Sequence, residues 1–219
     1  MRVIVASILP GGLMSVYRWF IAVVGLLFVS VLMLGWGRAE RSASGSNVEP
    51  EAAYQVDPAH SSIMFKIRHF GLANFYGMVT APMGTVLLDV PEAAVLDIEI
   101  QTKYVEGGND SRNKFLASPD FFNTREYPKA RFKASAIRRI DESTFEADGE
   151  FTLRGVTRPL SITLTGYNER TIEKFGHRCG FETTFTIKRS EFGMTTHFEN
   201  QTLADEVVIT VSIEAGRPA

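Results

Sequence analysis

From Tyr54 onward, apolar and polar residues alternate one for one over segment after segment. Ile63, Phe65 and Ile67 alternate with Ser62, Met64, Lys66 and Arg68, and His69 continues the apolar parity. Gly77, Val79 and Ala81 alternate with Met78 and Thr80, and Leu96, Ile98 and Ile100 with Asp97, Glu99 and Gln101. Ala130, Phe132, Ala134 and Ala136 alternate with Arg131, Lys133 and Ser135. Phe145, Ala147, Gly149, Phe151 and Leu153 share one face; Leu160, Ile162 and Leu164 share the next. Phe181, Thr183, Phe185 and Ile187, then Val207, Ile209, Val211 and Ile213, complete the series. A period of two is that of a strand with one dry and one wet face.

With a short strand near residues 85–90, the pattern predicts eight or nine strands. They are antiparallel, because parallel strands are buried on both faces and need helical crossovers. The connections "GLAN" (71–74), "DES" (141–143) and "RGVTRP" (154–159) are short and turn-like. Such a meander closes most simply into an up-and-down barrel, which also removes exposed edges. A two-sheet sandwich is the alternative. The predicted fold class is therefore all-β: an eight-stranded antiparallel barrel.

Residues 103–128 break the rhythm. Asn109 or Asp110 can cap a short helix over 111–117. Ser118 can cap a second, with Pro119 in its first turn and Phe121 and Phe122 upon it. This insertion carries Phe115, Leu116, Phe121 and Phe122, which need a dry surface, and the barrel end offers one. It is either a plug that completes the core or the lid of a cavity.

The parity leaves one question open. Large inward residues (Phe65, Phe132, Phe145, Phe151, Phe181, Phe185) are interleaved with Gly77, Ala81, Ala130, Ala134, Ala136, Ala147, Gly149 and Thr183. An eight-stranded barrel can be filled by its side chains or can hold one small ligand. If hollow, its lumen is apolar and elongated and suits a hydrocarbon chain. Candidate lumen residues are Ile63, Phe65, Ile67, Val79, Ile98, Ile100, Phe132, Ala134, Ala136, Phe145, Phe151, Leu153, Ile162, Leu164, Phe181, Phe185, Ile209 and Val211. Candidates for the mouth and a polar head group are His69, Arg112, Asn113, Phe115, Phe121 and Phe122.

The N-terminal segment adds an address. Residues 20–34, "FIAVVGLLFVSVLML", follow Arg18 and precede small residues at Gly37 and Ala39. This reads as a secretory signal cleaved after Ala39, residues 1–39 in all. An uncleaved anchor spanning residues 19–37 is the other reading. Residues 40–53 read as a flexible linker and 54–215 as the folded domain. Either way the domain is exported, to the periplasm or beyond, or held at the inner membrane. Membrane association through this segment and a homodimer are both compatible with the sequence.

Composition excludes more than it suggests. A net charge of -2 over 219 residues gives no electrostatic case for nucleic acid. Cys179 stands alone, so no disulfide can form within the chain, and it reads as a small structural residue. The hydrolase elbow, phosphate loop, zinc-helix and paired-cysteine patterns are missing, and the four histidines are widely spaced. No metal, cofactor or enzymatic activity is expected. Arg189 and Ser190 in "KRSEFG" are expected to pin a strand end, and Arg154 and Arg158 to sit on a solvated turn.

In order, "YQVDPAHSSIMFKIRHFG", "FLASPDFFNTREYPKARFKAS", "ADGEFTLRGVTRPLSITL", "TTFTIKRSEFGM" and "LADEVVITVSIEA" resemble the successive signatures of the YceI-like proteins. The resemblance covers residues 54–215. It implies a lipocalin-like barrel that holds a polyisoprenoid, such as a prenyl diphosphate or an isoprenoid quinone, in the bacterial periplasm or outside the cell. It thus implies non-catalytic lipid binding and transport; a filled-core interaction module with no lipid is the alternative. The chain departs from the family at Asn113 and Phe115, where an acidic residue and a histidine are usual. Head-group recognition would be altered there.

Overall fold

A computed structural model describes residues 53–197 and 202–217. The predicted signal or anchor (1–39) and all but the last residue of the linker (40–53) lie outside the described residues. Eleven strands join in one antiparallel sheet. They are β1 (Tyr54–Val56), β2 (Ser62–His69), β3 (Ala73–Val79), β4 (Met83–Leu87), β5 (Val95–Gln101), β6 (Val105–Glu106), β7 (Lys129–Arg139), β8 (Phe145–Leu153), β9 (Val156–Ile172), β10 (Gly176–Lys188) and β11 (Leu203–Arg217). One helix, α1 (Asp110–Ala117), lies between β6 and β7.

The eleven strands occupy eight places in the wall. β1 and β2 both run along one edge of β11, β1 against Ala215 and Gly216 and β2 against Leu203 to Ser212. β4 pairs with β1 and β3 with β2, so those two share the next place. β5 pairs with β4 and β6 with β3, sharing the third. β7 to β11 fill the rest, each paired with the next. The barrel closes, and the predicted eight-stranded antiparallel architecture holds.

Two departures from simple alternation matter. A β-bulge between Ala134 and Ala136 inserts an unpaired residue in β7. Parity reverses there: Ile137 packs against the core, while Ala136 is exposed. The predicted inward place of Ala136 is thus wrong. A second register shift, opposite Gly180 and Glu182, turns Tyr167 inward after Leu164. The Tyr167 hydroxyl lies 2.9 Å from Asp89 Oδ2 and also meets the Glu169 carboxylate. Burial, first, and Glu169 push its pKa well up.

The β8–β9 connection is tighter than predicted. Arg154 and Gly155 form the whole turn, both with positive φ (49° and 71°), and Leu153 pairs directly with Val156. Arg154 is not merely solvated: it donates to the carbonyls of Gly193 (2.9 Å) and Pro119 (3.2 Å). It so ties the hairpin to the insertion and to the 3-10 turn Arg189–Phe192. Arg189 is 1% exposed and donates to the carbonyls of Ala204, Met194, Thr196 and Leu203. Ser190 binds Asp205 through its N–H and hydroxyl, 2.9 Å each. The expected pin is present, and it holds β10 against the start of β11. Cys179 is buried, and burial pushes its thiol up to about 12, as suits a structural residue.

At the other end, Arg178 bridges Asp57 (2.5 Å) and Glu214 (2.6 Å), while His60 Nδ1 sits 3.0 Å from Asp57. Asp57, His60 and Glu214 lie close enough to hold a cation, but the Arg178 guanidinium already engages both carboxylates. The cluster is an ion-pair network that fastens the entry of β1 to β10 and β11.

Two outcomes follow. Arg189→Ala leaves buried carbonyls without donors and should destabilise the barrel by about 3 kcal/mol or more, read by denaturant unfolding. Hydrogen bonding to Arg178, then to His60, holds the Asp57 carboxyl well below its usual range. A depressed carboxylate stabilises the fold above the unfolded-state pKa and ceases to do so as the pH falls through the folded-state value. Asp57→Asn should therefore melt lower than the parent at neutral pH, and the gap should close as the pH drops below about 4. Thermal midpoints across a pH series check the sign.

Candidate functional site

The interior is full at one end and hollow at the other. At the closed end, Phe145 and Leu164 (1% and 0% exposed) pack with Ala147, Tyr167, Cys179 and Ile213 in one cluster. The Tyr167 ring meets Phe145 edge-on at 5.1 Å. Phe145 and Leu164 were expected to line a lumen, but the bulge and the inward tyrosine let them seal a floor instead. Ala134 is half-buried and packs against the core without facing the cavity.

Above the floor lies a cavity of about 480 Å³. Its rungs can be read from the strand register. Thr183, Val211, Ile63 and Val79 lie side by side in one row; Phe185, Ile209, Phe65 and Gly77 form the next; Ile187, Val207, Ile67 and Phe75 the third. Across the barrel, Ile98, Phe132 and Phe151 form a row, with Ile100 and Ala130 beside it. Leu153 and Ile162 also face the space, and Phe181 closes it below. Gly77 is not an empty place: a Cβ there would lie 2.1 Å from the Phe65 ring, so the glycine is where the ring rests. The volume comes instead from Ala130, Thr183 and the aliphatic rows.

The mouth is built by the insertion. β7 pairs with β5 only as far as Gln101, and the insertion covers the open wall beyond. Asn109 Oδ1 caps α1 by accepting from the Arg112 N–H at 2.9 Å. The second helix expected after Ser118 is a run of turns, held by Phe122 N–H to Leu116 O (3.0 Å) and Asn123 N–H to Ser118 O (2.9 Å). These turns bring Phe122 to 6.2 Å from the Phe65 ring and Phe121 to 4.8 Å from Phe115. Phe115, Phe121 and Phe122 all line the cavity, so the insertion is a lid with aromatic residues turned inward.

A group of polar side chains stands at the mouth. His69 and Arg112 line the rim with Asn74 and His197. The Arg112 guanidinium donates to the Gly107 carbonyl and lies 4.8 Å from the Phe75 ring. Asn113 is not at the mouth: its side chain accepts from the Gly107 N–H at 2.6 Å and fixes the loop. Sequence reasoning missed Phe75, although it shares the parity of Gly77 and Val79. It also missed Leu203, which shares the parity of Val207 and Ile209, and His197, which sits where no period exists.

Deep in the lumen, Thr183 is 4% exposed, and its hydroxyl has no hydrogen-bond partner among the described residues. Every other inward side chain in its row is aliphatic.

Comparison with known proteins matches the YceI-like domain to residues 54–215. A UPF0312 protein of Pseudomonas savastanoi pv. phaseolicola is 31% identical over 171 residues, 77% of this chain and 88% of that protein. Burkholderia cenocepacia BcnA superposes with a TM-score of 0.64 at 24% identity, over 73% of this chain and 99% of its own. A polyisoprenoid binding domain from Saccharophagus degradans, implicated in plant cell wall breakdown, gives a TM-score of 0.60 at 14% identity, over 75% of this chain and 98% of its own. These two show a shared fold. With the domain matched from β1 to β11, the chain belongs to the YceI-like family.

Proposed function

We propose that this chain binds a polyisoprenoid lipid, a prenyl diphosphate or an isoprenoid quinone, without catalysis, and carries it within the bacterial envelope. The cavity of about 480 Å³, walled by aliphatic and aromatic side chains, carries the reading. Burial of hydrocarbon yields roughly 0.8 kcal/mol per carbon, so each isoprene unit contributes about 4 kcal/mol before costs. A few units suffice, and cavity length rather than added energy then selects the chain. The sealed floor leaves entry at the mouth, where His69 and Arg112 stand ready for a polar or anionic head. A fold-mate described as a polyisoprenoid binding domain supports the same class of ligand. The filled-core alternative fits only the closed end. Export through residues 1–39, cleaved or retained, would put the carrier in the periplasm, outside the cell, or tethered to the inner membrane.

Organic extraction of the purified protein, followed by mass spectrometry, should yield a prenyl lipid; an empty extract from several expression hosts would sink the reading. Ile209→Trp, placed in the middle row, should lower lipid occupancy while the barrel still folds, at a cost of about 1–3 kcal/mol. Thr183→Val swaps an unpartnered hydroxyl for a methyl of the same shape. It should raise the stability of the lipid-free barrel by about 1 kcal/mol, a melting shift of a few degrees, and leave tail binding intact.

A further inference from the structure

The tip of the β2–β3 hairpin, Phe70-Gly71-Leu72, exposes two large apolar side chains to solvent. Phe70 is 58% exposed and Leu72 is 79% exposed. They stand between His69 and Ala73, both of which line the cavity, so the tip is part of the rim. It is also held in place. The Phe70 N–H donates to the Thr202 carbonyl at 2.8 Å, and the Leu72 N–H donates to His69 O at 3.0 Å. The His69 and Phe70 rings meet edge-on at 4.4 Å. Across the mouth, α1 offers Phe115, 39% exposed and 5.9 Å from His197.

Cations flank the tip on β2 and α1, while on the neighbouring β11 Asp205 is engaged by Ser190 and Glu206 is exposed. Residues 58–88 contain no aspartate or glutamate, while Lys66 and Arg68 precede the tip. Arg112 and Lys114 add two cations on α1, whose carboxylate, Asp110, stands at its first position. The opposite end differs. The β9–β10 hairpin exposes Ile172 and Phe175, but Glu173 and Lys174, of opposite charge, lie between them, and the floor of Phe145 and Leu164 separates that end from the cavity.

We propose that the barrel docks mouth-down on an anionic lipid bilayer through Phe70, Leu72 and Phe115. The apolar side chains enter the interfacial zone, and Lys66, Arg68, Arg112 and Lys114 meet the anionic head groups. The cavity then opens toward the acyl layer, and a chain lipid passes between bilayer and lumen without crossing water. That last step rests on the proposed lipid binding; the docking does not.

The test uses a chain beginning at Glu40, so that residues 1–39 cannot anchor it. The barrel closes on itself and has its own core, so this chain is a complete folding unit. It is sedimented with vesicles of phosphatidylglycerol and phosphatidylcholine, and with phosphatidylcholine alone. Binding is expected to the anionic vesicles, weakened by salt. The double variant Phe70→Ser/Leu72→Ser should lower partitioning at least about tenfold, with an unchanged circular dichroism spectrum. Phe175→Ser, at the far hairpin, should bind as the parent does. Parent protein that stays in the supernatant, a double variant that binds equally, or a Phe175→Ser variant that fails as badly would each overturn the proposal. Prenyl lipid in the same preparations is read separately by mass spectrometry. A lipid-free protein that still binds vesicles would sink the carrier reading alone, and a lipid-loaded protein that ignores vesicles would sink the docking alone.

Discussion

Ring closure is the constraint from which the rest of this structure follows. β1 is only three residues long, yet it pairs with β4 on one side and β11 on the other. Through it the sheet meets itself, and no edge at that end is left to recruit another chain. Once the ring is closed, the wall has eight places and the interior has a set width. Every second side chain must enter that width. Side-chain size, row by row, then decides where the barrel is solid and where it is hollow. The ion pairs of Arg178 with Asp57 and Glu214 guard this closure, since they tie the entry of β1 to the strands it must meet.

The parity of the strands was legible in the sequence because a half-buried antiparallel strand leaves a clean period of two. Ile63, Phe65, Ile67, Ile209 and Val211 line the cavity as their alternation predicts. The bulges were not legible. One extra residue near Ser135 reverses the parity of β7, so Ala136 faces solvent, and nothing in "KASAIRR" distinguishes a bulge from continued alternation. Depth was equally hidden. Phe145 and Phe151 share a face of β8, yet one seals the floor and the other lines the space, because depth is set by register against neighbouring strands. The insertion gave up its first helix through Asn109, a local cap, and withheld its turns, which depend on packing against the barrel.

Polar satisfaction divides the interior along the same axis. At the mouth end, Arg189 is buried, and backbone carbonyls of the segment after the 3-10 turn and of the start of β11 surround its guanidinium. Burial alone disfavours its charge, so those acceptors, with Asp205 near by, are what make the position tolerable. That arrangement stiffens the rim beside the hairpin tip, where Leu203 pairs with His69. At the floor, Tyr167 finds Asp89 and Glu169 in the same way. Between these two satisfied layers, the middle rows contain almost no polar atoms to satisfy, and Thr183 is the exception.

This division determines how a chain-like ligand would enter. The floor is packed and hydrogen-bonded, so opening it would break the Phe145–Tyr167 contact and strand a buried hydroxyl. The mouth is covered instead by turns whose Phe121 and Phe122 are held mainly by contact with other rings and by a few backbone hydrogen bonds. Local opening favours the segment with the fewest buried bonds to break. A hydrocarbon tail that enters there replaces ring contacts with its own, and the loss is largely repaid in kind. A charged head group that follows it cannot enter the apolar rows without losing its hydration. It would stop at the level of His69 and Arg112, which line the cavity at its rim. Tail-in, head-out insertion is thus what a sealed floor, an aromatic lid and a cationic rim impose together, whatever the length of the chain.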